Sequence, residues 1–373
     1  MLDARMTMYP WDLADGGPQA VLDRLRGEIG VNGVSLIVGT PPCLHVRSGP
    51  EAGRGIRTAG GWFFTPSESH YAATRARPLP GDLSDARRAV EAAVDLCARI
   101  GLSLCFQLSA AHCGPLAARH PELSTKNAFG MASAASLCLI NPEVQGLLLG
   151  AVADLSSRGS VAAVLLEDFS LAWSEADSAE LETPIPLDDL HRQLLKICFC
   201  ESCHQRAGAS SVDAPVALRM VRTALQGGQD SEPLGASRLR RPLAIEVVER
   251  LTRWQSAELG SFLRRLRAAA QCPVWVLDHA KNEKDPFRVH AAADVIRIDH
   301  PTDLRDSIPD KNTTHRVAVT PAFFRTVAGP NLVAWLVEAM QRDIRSVSFE
   351  HFGVLGETEV TSLKQALRFA RRA

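Results

Sequence analysis

Several things are scarce in this chain, and each shortage excludes something. No segment approaches the ~20 consecutive apolar residues of a membrane-spanning helix, so no membrane partner is expected. Charge of one sign is scarce too: 41 Lys and Arg stand against 42 Asp and Glu, a net -1. No global field therefore draws the protein to nucleic acid or to an anionic surface. The run "RLRR" at Arg238 to Arg241 reads as solvated surface. The opening "MLDARMTMYPWDL" carries charges where a signal peptide has its apolar run, which predicts a cytoplasmic protein. G-x-G-x-x-G, P-loop and H-E-x-x-H motifs are absent, and "LCLIN" and "QLSAAH" lack the surroundings of a nucleophilic serine. No nucleotide cofactor is implied.

What is present is a rhythm. Eight short β-branched or apolar runs recur: "MTMYPW", "GVSLIVGT", "LSLCFQLS", "AAVLLEDFS", "PVWVLDHA", "VIRIDHP", "HRVAVTP" and "SVSFEHFG". Helical patterns separate most of them, among them "DARRAVEAAVDLCARIG", "NPEVQGLLLGAVADLSSRG" and "NLVAWLVEAMQR". Several end at Gly, where a helix stops in the left-handed conformation. Strand-helix alternation implies a parallel sheet, and eight units predict an α/β fold of the (β/α)8 TIM-barrel type. We expect one domain over residues 1–373, with rim insertions at about 41–80 and 170–240. The first holds a short extra strand at "GWFFTP". The second follows the fourth strand and includes "GGQDSEPLGAS". Self-association is left open.

The nine cysteines are odd in number and unevenly spread, which argues against a disulfide framework. Three crowd into "CFCESC", where Cys198, Cys200 and Cys203 have the spacing C-x-C-x-x-C. Such a turn can aim three thiolates at one ion, and zinc favours a tetrahedron of sulfur and nitrogen. The fourth ligand must come from elsewhere. His204 is adjacent but sterically awkward, and Cys138 in "SLCLINPEV" is the better candidate. A site closed by four sulfurs has no open position, so the zinc would be structural. Cys43, Cys97, Cys105, Cys113 and Cys272 read as packing residues.

The segment from Cys138 to Cys203 resembles the zinc-bearing segment of family 42 β-galactosidases: a Cys before a helix, a strand ending in carboxylates, then C-x-C-x-x-C. The opening "YPWDLADGGPQAVLDRL" and the ending "SVSFEHFG" also resemble glycoside hydrolase-like TIM-barrel proteins. The resemblance implies Cys138, Cys198, Cys200 and Cys203 as the metal ligands.

In such barrels the reactive face is the C-terminal end of the strands. Here those ends are acidic: Glu167-Asp168, Asp278-His279, Asp299-His300 and Glu350-His351. Strand alternation points Gln107, Arg297, Asp299, Ser348 and Glu350 inward, together with one of Glu167 and Asp168. Glu167, Asp168, Asp299 and Glu350 are the candidate catalytic acids, suited to protonating a leaving oxygen and activating water. Gln107, His112, Asp278, His279, Arg297 and His351 are the candidate substrate-binding residues. Trp62, Phe63 and His70 on the first insertion are candidates to cover a sugar face. Arg297 and Arg316 supply counter-charges for a purely structural ion-pair layer. The resemblance also implies an acid/base at the fourth strand and a nucleophile at the seventh. Phe169 stands where the family's acid/base Glu aligns, and the seventh run, "RVAVTPAFF", has no carboxylate. The expectation is a carbohydrate-active enzyme that hydrolyses a glycosidic bond in a small-molecule or oligosaccharide substrate. The alternatives are a sugar lyase or isomerase, or a non-catalytic glycan-binding barrel.

Overall fold

The computed structural model describes residues 2–46, 55–171, 189–226, 242–278, 295–299, 315–319, 330–341 and 346–371. At 189–190, 242–245, 278, 295–299, 315–319 and 330–331 the description is of backbone alone. The strands are β1 (Asp3–Met8), β2 (Gly33–Thr40), β3 (Cys43–Val46), β4 (Gly55–Thr58), β5 (Gly61–Trp62), β6 (Ser103–Ser109), β7 (Ser124–Lys126), β8 (Ala132–Leu137), β9 (Val161–Glu167), β10 (Val274–Asp278), β11 (Val295–Asp299), β12 (His315–Val319) and β13 (Ser346–Phe349).

Eight of these, β1, β2, β6, β9, β10, β11, β12 and β13, are the runs expected from the sequence, and they pair in parallel in that order. The sheet curls: β1 pairs in parallel with β13 (Asp3 with Ser346) and also with β2 (Arg5 with Gly33). Three strands thus lie between β9 and β13 whichever way the pairing is followed: β10, β11 and β12, or β6, β2 and β1. The first run stops earlier than its sequence suggests. Tyr9 leaves the strand and Pro10 opens the helix Pro10–Gly16, a position where a missing N–H is tolerated.

The connecting helices are amphipathic for the reasons visible in their spacing. Ser84–Ile100 buries Ala86, Ala89, Val90, Ala93, Leu96 and Cys97, one face at 3.6-residue periodicity, and stops at Gly101 with φ 68°. Pro142–Ser156 starts at Asn141, whose side chain accepts a 2.9 Å hydrogen bond from the Glu143 N–H. Among the described residues no helix is long and apolar enough to cross a membrane.

Two sets of buried side chains separate the faces of the sheet. The convex face and its helices form the larger core. On the concave face Cys105, Ala163, Leu165, Trp275 and Leu277, alternate residues of three adjacent strands, form a cluster of their own. Below it Arg5 lies 5.0 Å from the Trp275 ring centroid and donates to Ser103 Oγ at 2.7 Å. The concave interior is filled at that end, so access lies at the C-terminal ends of the strands.

The insertion at about 41–80 divides in two. Its first part is the antiparallel hairpin β3–β4. Its later turn, Glu68–Tyr71, packs on the outer helix Pro142–Ser156, where Tyr71 Oη donates to Asp154 Oδ2 at 3.3 Å. A second hairpin, β7–β8, follows β6 and was not expected from the sequence. In the insertion after β9 the described helices are Asp189–Leu195, Glu201–Ala209 and Ala214–Gln226, and all of "GGQDSEPLGAS" lies outside the described residues.

Candidate active site and metal-binding cluster

A cavity of about 240 Å³ opens at the C-terminal ends of the curled strands. Glu167 and Asp168 line it from the end of β9, Glu350 and His351 from the end of β13, and Tyr9 from the end of β1. The segment from Ile37 to Cys43 supplies most of the opposite wall. Gly39 belongs there because a Cβ would lie 2.2 Å from Leu108 Cδ1, a closeness that only glycine allows.

The acids are held from beneath. Gln107 Nε2 donates to Glu167 Oε1. Ser109 Oγ donates to Asp168 Oδ2 at 2.9 Å, and His112 Nδ1 lies 3.3 Å from the same oxygen. Glu350 is the most enclosed acid, 6% exposed, with His351 Nε2 3.8 Å from its Oε2. Strand alternation predicted that one of Glu167 and Asp168 turns inward. Both line the cavity, because Asp168 takes φ 52°, in the left-handed region, and the two-residue alternation ends there. A non-glycine residue at such a φ is strained, and Asp tolerates it better than most.

Other expectations divide. Gln107 and His112 reach the cavity acids rather than its wall. Asp278 closes β10, and Arg297 and Asp299 lie in β11 with Asp299 paired to Ala318, but their side chains lie outside the described residues, as does that of Arg316. His279 lies outside them altogether. Trp62 and Phe63 do not cover the cavity. Trp62 stacks on Phe64 at 5.5 Å and Phe63 meets Trp11 edge-on at 5.7 Å, both inside the core. His70 lies in the outer turn Glu68–Tyr71, away from the mouth. Phe169, expected from the resemblance to stand at an acid/base position, is buried against Phe262 of the helix Pro242–Ala269 at 5.8 Å and packs.

Sequence reasoning overlooked Tyr9, Cys43, His45 and Ser109. The signal for Tyr9 and Ser109 was available, since each closes a strand run just as the acids do. Cys43, expected to be a packing residue, lines the cavity. Burial, and then the charge of Asp82, pushes its thiol up.

Tyr9 stacks on Trp11 at 4.5 Å and on His351 at 5.0 Å, while His45 sits edge-on at 4.5 Å. Burial, reinforced by the charge of Glu167, pushes the Tyr9 hydroxyl above its ordinary range. Burial and the charge of Asp154 do the same to Tyr71, the other of the chain's two tyrosines. Both phenols hold their protons more tightly folded than unfolded. Their contribution to stability is therefore complete below about pH 10, the unfolded value, and is lost as pH rises beyond it. In a spectrophotometric titration, tyrosinate absorbance should appear only together with loss of the folded far-ultraviolet signal. A tyrosinate step near pH 10 in the intact fold would contradict these environments.

The four cysteines singled out by spacing do meet. Cys138, Cys198, Cys200 and Cys203 are buried, and their sulfurs all lie within 4.8 Å of one another, so the group could hold a metal ion. Cys138 Sγ is 3.7 Å from Cys203 Sγ. The Lys126 N–H donates to Cys198 Sγ at 3.4 Å, and Gln255 Nε2 reaches the Cys198 carbonyl at 2.8 Å and Cys203 Sγ at 3.7 Å. None of the nine cysteines forms a disulfide. Burial raises the thiol of Cys97 to about 12 and those of Cys113 and Cys272 to about 11.

No protein-family model matches the chain, and no curated protein matches it in sequence. Solved structures do match in fold. The α-L-fucosidase isoenzyme 2 from Paenibacillus thiaminolyticus superposes with a TM-score of 0.59 at 12% identity, covering 100% of this chain and 49% of that one. The β-galactosidase from the psychrophilic Marinomonas ef1 gives 0.52 at 12% identity, covering 98% of this chain and 59% of that one. The PgaB (BpsB) glycoside hydrolase domain from Bordetella bronchiseptica gives 0.52 at 11% identity, covering 99% of this chain and 98% of that one. The chain thus spans half to three-fifths of the first two proteins and nearly all of the third. At these identities the likeness is one of fold: a curled parallel sheet with helices, as in TIM-like glycoside hydrolases.

Proposed function

We propose that this chain is a carbohydrate-active enzyme on a closed (β/α)8 barrel, hydrolysing a glycosidic bond at the strand-end cavity. The observation that carries this reading is the convergence of Glu167, Asp168 and Glu350 on one cavity from the fourth and eighth strands of the parallel set. Strands β9 and β13 stand opposite each other in the pairing order, so a ring between them has a carboxyl group on either side. That is the disposition needed to protonate a leaving oxygen and to direct water or stabilise positive charge at the sugar carbon. Glu350, enclosed and shielded from bulk water, is the proton donor in this reading. Asp168, facing the Ser109 hydroxyl and His112, is the negative partner. Glu167, anchored by Gln107, orients substrate hydroxyls. The cavity lies below the ~300 Å³ at which drug-sized sites begin, room for a single ring.

The reading takes its second acid from β13, because β12 (HRVAV) has no carboxylate. The missing acid is also what favours the second reading, a barrel that binds a glycan without cleaving it.

Zinc suits the four-cysteine group. Tetrahedral sulfur ligands at about 2.3 Å stand about 3.8 Å apart, and Cys138 and Cys203 are separated by 3.7 Å. With four buried sulfurs in place no ligand position is open, so the ion's chemistry would be structural.

The test is turnover of nitrophenyl glycosides, beginning with α-L-fucosides and β-galactosides, the sugars in the names of the structural neighbours. Release of nitrophenol by wild type, lost with the acids, supports hydrolysis. Sugar binding without release, unchanged when the acids are removed, supports the second reading.

A further inference from the structure

Among the cavity residues, Tyr9 has no role in the acid pair, yet it is the most elaborately held. Trp11 and His351 stack on it at interplanar angles of 7° and 27°, and His45 meets it at 67°. With its faces occupied, the ring has no surface on which a sugar could stack. What it offers the cavity is its edge and its hydroxyl. That hydroxyl feels the charge of Glu167 and stays neutral, so it can donate. Within the described residues nothing accepts from it. A neutral donor, pre-oriented and without an acceptor, in a cavity to which Glu167, Asp168 and Glu350 bring carboxylates, is suited to a ligand oxygen.

The clamp is not built from the barrel alone. His45 lies on β3, whose residues alternate: Cys43 and His45 turn toward the cavity while Leu44 and Val46 are 59% and 57% exposed. The hairpin β3–β4 therefore lays one edge along the mouth. It touches Tyr9 at 4.5 Å through His45, and His45 also lies 6.2 Å from the His351 ring centroid. A segment inserted after β2 thus bears on residues from the ends of β1 and β13.

We propose that Tyr9 is a specificity-determining residue of this cavity, its hydroxyl donating to one hydroxyl of the bound sugar beside Glu167, and that His45 of the β3–β4 hairpin is the positioning residue that holds the ring. This rests on the reading of the cavity as a sugar site. The ligand class is a polyhydroxylated ring bearing an acceptor oxygen next to the position bound by Glu167.

The experiment compares wild type, Tyr9→Phe, His45→Ala, His45→Phe and Glu350→Gln on the nitrophenyl glycoside that turns over best, and on its monodeoxy analogues. Tyr9→Phe keeps the stack and loses only the donor. It should lower kcat/KM about 10-fold on the parent sugar and leave it unchanged on the one analogue that lacks the recognised hydroxyl. His45→Ala should show the same loss with the same analogue dependence, and His45→Phe, which restores an edge contact, should recover most of it. Binding of the free sugar to Glu350→Gln, read by calorimetry, should weaken when Tyr9→Phe is added. If Tyr9→Phe behaves as wild type on every substrate while Glu350→Gln is inactive, the inference falls and the enzyme reading stands. An equal loss on all analogues makes Tyr9 a packing residue and also overturns the inference. If no sugar is turned over or bound, both fall.

Discussion

Glu350→Gln is expected to lower turnover by about 10²–10⁴-fold with the fold intact. The carboxyl is nearly enclosed and stands at the end of β13, opposite Glu167 and Asp168, so an amide of the same shape keeps the packing and removes the transferable proton. Asp168→Asn should produce a comparable loss, and it is an unusually clean substitution. Asn accepts the left-handed backbone at φ 52° as readily as Asp, and its carbonyl can still accept from Ser109. Lost activity would then report the charge and not a disturbed turn. Glu167→Gln should act more through KM, since Gln107 would face an amide in place of a carboxylate and the substrate anchor would loosen. The measurement is steady-state kinetics on the best glycoside, with melting temperatures alongside. If all three variants turn over at the wild-type rate, the acids are structural and the hydrolytic reading is lost.

Cys138→Ser is expected to remove one equivalent of zinc and to loosen the rim above β9. The four sulfurs join segments far apart in sequence. Cys138 precedes the helix Pro142–Ser156, Cys198 accepts from the β7 backbone, Cys200 and Cys203 flank the start of the helix Glu201–Ala209, and Gln255 of the long helix Pro242–Ala269 reaches into the group. An ion bound only by the folded state, at a free concentration a thousandfold above its dissociation constant, contributes about 4 kcal/mol. For a chain of this size its loss lowers the melting midpoint by on the order of 5 °C. Strong chelation of the wild type should reproduce the shift, and added zinc should reverse it. Wild-type protein purified without metal, and unmoved by either treatment, would reduce the group to four packed thiols. Activity should fall less than with the acid variants, because no cluster residue lines the cavity.

Much of the frame was legible because it is written in local periodicity. The runs that became β1 to β13 of the parallel set alternate or are uniformly apolar, the helices between them carry one buried face, and Gly101 and Asn141 mark a stop and a start by backbone chemistry alone. The thiol group was legible for a different reason: a three-cysteine turn demands a fourth ligand, and Cys138 stands at the neighbouring connection. The hairpins β3–β4 and β7–β8 were not legible, since β3, β4 and β7 run for only three or four residues and β8 is mostly Ala and Ser, too little for a hydrophobic pattern.

The cavity divides along the same line. That acids close the fourth and eighth strands follows from the sequence order alone, because a strand-helix repeat determines which residues come last before each connection. Their meeting required the curl of the sheet, in which β1 finds both β13 and β2 and so brings opposite strand ends around one space. Beyond the last paired residue alternation says nothing about direction. The turn at Asp168, the burial of Trp62, Phe63 and Phe169, and the clamp on Tyr9 were decided by packing between segments distant in the chain, which no local pattern encodes.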